Sequence, residues 1–240
     1  MQNSDLPVTA YLPKEDASLL PLASTPANLM RVINNMKGRP YGWGSINIED
    51  PTDFLNDCSQ ELKSLYTPFG IWLPRHSSAQ VDPTRIIGRV DDMTALNADE
   101  RIKKLMADAG QHPFMTIVYV YNHVFIYLGN YENPMDTSHA VVPLTYQNLW
   151  GLRPVGLLNG RYVIGESALF PLLSHYPEKF PDGRDLISLA AKPAFIVAYL
   201  DQLPAETPST AMQLWNNAGL QGYAAKPGMT EEKYLLQGPS

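Results

Sequence analysis

Met115-Thr116-Ile117-Val118-Tyr119-Val120-Tyr121 and His123-Val124-Phe125-Ile126-Tyr127-Leu128 decide the fold of this chain. Both runs are β-branched and aromatic and are bounded by turn residues, the pattern of neighbouring strands. A turn through Gly129-Asn130-Tyr131-Glu132-Asn133-Pro134 leads to a further strand over 138–143, and others are expected over 161–164 and 194–200. Toward the N-terminus the periodicity becomes helical. Asn97 caps a helix with Asp99 and Glu100 in its first turn, a stripe of Ile102, Leu105, Met106 and Ala109, and Gly110 at its end. Thr25 caps an earlier one, with Pro26 at the first helical position, Leu29, Met30, Val32, Ile33 and Met36 on one face, and Gly38 closing it. Helices first and mainly antiparallel strands after them predict an α+β fold.

Between those helices lies Asn56-Asp57-Cys58-Ser59-Gln60, which holds the only cysteine. It leads into an amphipathic run, Leu62 to Tyr66, that Pro68 ends. Asp57 or Asn56 serves as N-cap, so Cys58 falls in the first turn of a helix. Backbone N–H groups and the macrodipole there favour a thiolate, the nucleophilic form of cysteine. A small buried hydrophobe is the competing reading of a lone cysteine.

The composition narrows the function classes. A formal charge of −6 and the lack of a basic stripe exclude a general nucleic-acid binder. One cysteine excludes an internal disulfide framework and multi-cysteine zinc sites. No run approaches the roughly 20 apolar residues that span a bilayer, and residues 1–10 lack the pattern of a signal peptide. No metal or cofactor is expected. Residues 1–24 read as extended linker or surface wrap, 25–203 as the main domain, and 204–240 as a Pro- and Gly-rich extension with one short helix over 211–216.

A cysteine nucleophile needs a base within hydrogen-bond reach and a partner that orients that base. Among five histidines, His123 opens a strongly predicted strand and His139 opens the strand after the next turn. In a hairpin the two lie as diagonal neighbours on one face, His123 taking the Cys58 proton and His139 fixing its tautomer. Half-buried strand histidines satisfied by backbone groups are the alternative.

Five ordered blocks discriminate between these readings: Gly38-Arg39-Pro40-Tyr41-Gly42-Trp43-Gly44, Asp57-Cys58-Ser59, Gly70-Ile71-Trp72-Leu73-Pro74-Arg75-His76-Ser77-Ser78-Ala79-Gln80, His123 to Gly129, and Ser138-His139-Ala140. Together they resemble the NlpC-type family of cell-wall cysteine endopeptidases, in the subgroup that carries SH3-like domains upstream. The resemblance implies a papain-like domain with a Cys-bearing helix on an antiparallel sheet. It also implies hydrolysis of peptidoglycan stem peptides, typically between γ-D-glutamate and diaminopimelate or lysine. Cys58 becomes the nucleophile, His123 the base and His139 the orienting residue. Substrate contacts fall on Asp57, Ser59, His76 and Ser77, with Tyr41 and Trp43 lining the cleft and Tyr41 assisting the oxyanion. Arg75 is read as pinning its loop through a carboxylate or carbonyl.

The sequence departs from the family pattern at His76, where Asn or Asp is usual, and at Asn122, where Gly usually precedes the catalytic histidine. An insert spans 46–56, and no SH3-like sequence precedes residue 25. An upstream SH3-like domain or a separate partner would complete the cleft. The expected partner is peptidoglycan or a muropeptide. The expected location is the cell envelope, periplasm or exterior, with the cytoplasm as the other possibility. Two rival readings remain: an amidase toxin delivered to competitors, and a wall-binding scaffold whose cleft the insert blocks.

Overall fold

The computed structural model describes residues 20–45, 55–86, 88–132 and 140–202. Among these described residues, three α-helices pack on one six-stranded antiparallel sheet. The helices are α1 (Pro26–Met36), α2 (Cys58–Tyr66) and α3 (Ala98–Ala109). The strands are β1 (Arg89–Asp92), β2 (Thr116–Val120), β3 (His123–Glu132), β4 (Val141–Leu152), β5 (Tyr162–Pro171) and β6 (Phe195–Tyr199), in the spatial order β1-β6-β2-β3-β4-β5. The predicted α+β class is the observed one.

Local chemistry sets each helix start as expected. Thr25 caps α1 with Pro26 following it, Asp57 caps α2 by accepting from the Gln60 N–H, and Asn97 and Glu100 close a full capping box on α3. Alternation along the strands then builds a core on each side of the sheet. Val124, Ile126 and Leu128 of β3 pack with Leu62 and Leu65 of α2 and with Leu29 and Ile33 of α1. Phe125 and Tyr127 pack with Leu105 and Ala109 of α3 and with Leu172, Tyr176 and Leu189 from the segments after β5. Arg101, buried in α3, donates to the carbonyls of Met93, Ala190 and Lys192 and so ties the segment before β6 to the helix.

The strands run further than their sequence suggests. β3 continues through the expected turn at 129–134 as far as Glu132, passing a register shift between Tyr127 and Gly129, and Gly129 takes φ 136° there. β4 extends the strand expected over 138–143 to Leu152, so Thr145, Gln147 and Asn148 lie in a strand interior. The helix expected over 211–216 and most of the linker expected over 1–24 lie outside the described residues.

Residues 38–41 add a short ladder to the outer edge of β5. Gly38 N–H donates to Ser167 O at 2.7 Å and Tyr41 N–H to Gly165 O at 2.8 Å. On the other side of that ladder, Asn56 N–H donates to Pro40 O and Gly42 N–H to Asn56 O. Asn56 immediately precedes the α2 cap, so Tyr41 is held beside the start of the cysteine helix.

Candidate active site

Cys58 is the first residue of α2 and its side chain is buried against β3. The backbone N–H groups of Val124 and Ser59 point at its sulfur and favour the thiolate, but burial, reinforced by the Asp57 carboxylate, outweighs them. The Cys58 thiol is pushed up to about 11. Cys58 is therefore held as a neutral thiol, not as the helix-stabilised thiolate expected from its position: desolvation at this site exceeds the pull of the first helical turn.

His123 opens β3 directly after a two-residue turn from β2, with Val120 opposite His123. Asn122 in that turn has φ 60°, a left-handed conformation that asparagine tolerates better than most residues, so it supports the turn where the family's glycine would stand. Burial drives the His123 imidazole down to about 4, against the Gln147 hydrogen bond, which raises it. Both members of the Cys58–His123 pair are thus neutral at pH 7. Moving a proton from Sγ to the imidazole leaves the net charge of the site unchanged.

The partner of His123 is Gln147. Its Oε1 lies 2.6 Å from His123 Nε2. The direction of this bond follows from its far end. The Phe170 carbonyl can only accept, so Thr145 Oγ1 donates to it at 2.6 Å and is left to accept from Gln147 Nε2 at 3.2 Å. That orients the amide with Oε1 toward His123, whose Nε2 must carry the hydrogen and whose Nδ1 is left as the free base. β4 delivers these groups because its register pairs Ile126 with Tyr146 and Tyr127 with Thr145. His139, expected beside His123, lies outside the described residues. The described β4 begins at Val141 opposite Glu132, at the far end of β3 from His123.

On α2 the cap doubles as an electrostatic clamp. Arg75 holds Asp57 with two hydrogen bonds, Nη1 to Oδ1 at 3.0 Å and Nη2 to Oδ2 at 2.5 Å, and reaches Ser59 Oγ at 2.7 Å. Arg75 therefore pins its loop to the cap, as read from the sequence, and Asp57 and Ser59 are the groups it engages. Gln80 completes the attachment by donating from Nε2 to the Ser59 and Pro74 carbonyls, each at 2.8 Å. The loop's other predicted contacts stand apart: His76 is exposed and bonds Ser78 through Nδ1 at 2.9 Å, and neither it nor Ser77 lines the cavity beside His123.

Below the cysteine, fully buried Glu61 accepts from Asn56 Nδ2 at 2.7 Å and from the Tyr146 hydroxyl, joining α2 to both the Tyr41 ladder and β4.

A cavity of about 850 Å³ opens beside His123, within the usual range of small-molecule sites. Tyr41 and Trp43 line it. Burial first, and then the nearby Cys58 and Asp57 groups, disfavour ionisation of Tyr41 and keep its hydroxyl protonated and able to donate. Trp43 is 80% exposed at the rim. Trp150, with its ring centroid 5.9 Å from that of Tyr41, extends the aromatic wall, and Arg153, Arg161 and Lys192 line the cavity from beyond β4. None of these four was picked out from the sequence. Trp150 sits in a strand longer than its pattern shows, and isolated cations in turn-rich segments look like ordinary surface. Among the described residues no group of histidine, cysteine and carboxylates is placed to hold a metal ion, and no helix is long and apolar enough to cross a membrane.

A buried thiol at a helix start, a strand histidine fixed by an amide and an antiparallel sheet behind them define a papain-like α+β thiol site. Residues 38–150 match the NlpC/P60 family model. Among solved structures it is similar to a novel NlpC/P60 endopeptidase from Photobacterium damselae subsp. piscicida, at 29% identity and a TM-score of 0.63 over 78% of this chain. This chain spans 41% of that protein's length. The peptidoglycan hydrolase RipB from Mycobacterium tuberculosis matches over 68% of this chain and 64% of its own, at 15% identity and a TM-score of 0.37. No curated protein matches the sequence at a significant level.

Proposed function

We propose that this chain is a cysteine peptidase that hydrolyses peptidoglycan stem peptides at the bond between γ-D-glutamate and a diamino acid. The observation that carries the reading is the hydrogen-bond chain Phe170–Thr145–Gln147–His123, which leaves Nδ1 of the imidazole as a free base on the residue next to Val124, whose backbone N–H points at the Cys58 sulfur. The family-model match over residues 38–150 and the similarity to an NlpC/P60 endopeptidase support the reaction class.

In this mechanism His123 takes the Cys58 proton as the sulfur attacks the scissile carbonyl. The first-turn N–H of Cys58, which has no acceptor within the helix, and the Tyr41 hydroxyl donate to the developing oxyanion. The imidazolium then protonates the leaving amine, and the thioester is hydrolysed by a water that His123 activates. Gln147 holds the imidazole in the working tautomer, the role that the resemblance assigned to His139. Asp57 and Ser59, clamped by Arg75, bind the acyl side of the peptide, and Trp43 covers it.

Incubating a stem tetrapeptide with wild type, Gln147→Ala and His139→Ala separates the two orienting assignments. Gln147→Ala is expected to lose about 100-fold in kcat with little change in KM, while His139→Ala retains wild-type turnover. The reverse ranking overturns the role of Gln147.

A further inference from the structure

Three cations meet on one wall of the 850 Å³ cavity: Arg153 just after β4, Arg161 just before β5 and Lys192 just before β6. They lie beyond residues 38–150, the region that matches the family. None of the residues lining the cavity is acidic, although the whole chain is net negative by six charges. No described carboxylate pairs with any of the three. Arg161 donates only to the carbonyl of its neighbour Gly160, and Arg153 Nε is buried without a partner.

The three also repel one another. Burial first, then Arg153 and Arg161, hold the Lys192 ammonium below its ordinary value, and Arg153 adds to burial in doing the same to Arg161. Backbone bonds nonetheless fix the wall in place: Ile187 N–H donates to Arg153 O at 2.7 Å, and Arg101 Nη1 to Lys192 O at 2.7 Å. Unpaired like charges held together on a rigid frame are destabilising unless a ligand brings the opposite charge.

The position identifies that ligand. His123 lines this cavity, whereas Asp57, Ser59 and Arg75 do not. The imidazole delivers its proton to the leaving nitrogen, so the amine-side fragment of a cleaved peptide lies on the His123 side of the nucleophile.

We propose that Arg153, Arg161 and Lys192 form an anion subsite that takes a carboxylate carried by the leaving, amine-side fragment of the substrate. The orientation of the fragment rests on the peptidase reading above, while the binding of a carboxylate here does not. A diamino acid with a free carboxyl group, or a short peptide ending in a free carboxylate, has the required chemistry. The arginines offer paired N–H donors suited to a planar carboxylate.

The test is calorimetric titration of Cys58→Ala with diaminopimelyl-D-alanine and with the same dipeptide carrying carboxamides in place of its carboxylates. Its companion is turnover of the matching stem tetrapeptides by wild type. The free-carboxylate dipeptide is expected to bind at least about tenfold more tightly than the amide, and Arg161→Gln or Lys192→Gln, added to Cys58→Ala, to remove most of that difference. Equal affinity for the two dipeptides overturns the subsite whether or not the variants fold, because that comparison uses the native wall. A carboxylate preference that both variants leave intact overturns its assignment to these residues. Carboxylate-dependent binding by a wild type that cleaves no stem peptide supports the anion subsite and overturns the peptidase reading alone.

Discussion

The two sides of the site treat charge in opposite ways. On the α2 side Asp57 and Arg75 satisfy each other, Ser59 joins them, and Glu61 below is bonded by Asn56 and Tyr146. On the far side the Arg153 and Lys192 side chains have no described carboxylate partner and line the cavity. Charges neutralised within the protein fix geometry, as the clamp does for the helix start that carries Cys58. Charges left facing a cavity are available to a ligand. The first side is the one the family pattern covers, and the second is where this chain can differ from its relatives in what it accepts.

The sharpest way to break the comparison is at the histidine between the two sides. Replacing His123 with Ala should lower kcat for a stem peptide by about 10³-fold or more while leaving peptide binding near wild type, measured by turnover and by titration. Next is the clamp. Arg75→Ala leaves Asp57 largely buried opposite no cation, and the unfolding free energy from urea titration should fall by about 2 kcal/mol, less than for a fully buried pair because Arg75 is 33% exposed. Removing the Arg161 charge should by contrast leave stability within about 0.5 kcal/mol, since it breaks no ion pair. Tyr146→Phe, which deprives Glu61 of a hydroxyl donor, should cost about 1–3 kcal/mol by the same titration.

The two buried groups also separate in their pH dependence. The imidazole of His123 falls from 6.5 to about 4 on folding, so its contribution to stability is whole above pH 6.5 and is lost as pH falls toward 4. Cys58 rises from 9.0 to about 11, so its contribution is whole below pH 9 and is lost as pH rises toward 11. Urea midpoints across pH 4 to 7 should therefore fall more steeply for wild type than for His123→Asn. Iodoacetamide labelling of Cys58 should keep accelerating above pH 9 without a plateau near neutrality.

How much of this was legible in the sequence depends on whether the cause was local. The three helix starts were readable because a cap acts on N–H groups two or three residues away, as Thr25, Asp57 and Asn97 do. Cys58 and His123 were readable from their positions at the first residue of a helix and of a strand. Gln147 was not, because its role depends on which β4 residue meets β3, and the interior of β4 carries polar Thr145, Gln147 and Asn148 where alternation leads one to expect apolar side chains. The charge state of Cys58 was misjudged for a related reason. The helix start is visible in sequence, whereas the burial that opposes it depends on packing against β3. The cation wall combines residues from three separate connections and leaves no periodic trace.

The central claim is that Cys58, with His123 and Gln147 behind it, cleaves a stem peptide after γ-D-glutamate. Its most direct test is mass spectrometry of L-Ala-γ-D-Glu-diaminopimelate-D-Ala incubated with wild type and with Cys58→Ala. The expected result is L-Ala-γ-D-Glu and diaminopimelyl-D-alanine from the wild type alone. An intact tetrapeptide and intact sacculi after incubation with folded wild type, or equal cleavage by Cys58→Ala, would contradict it.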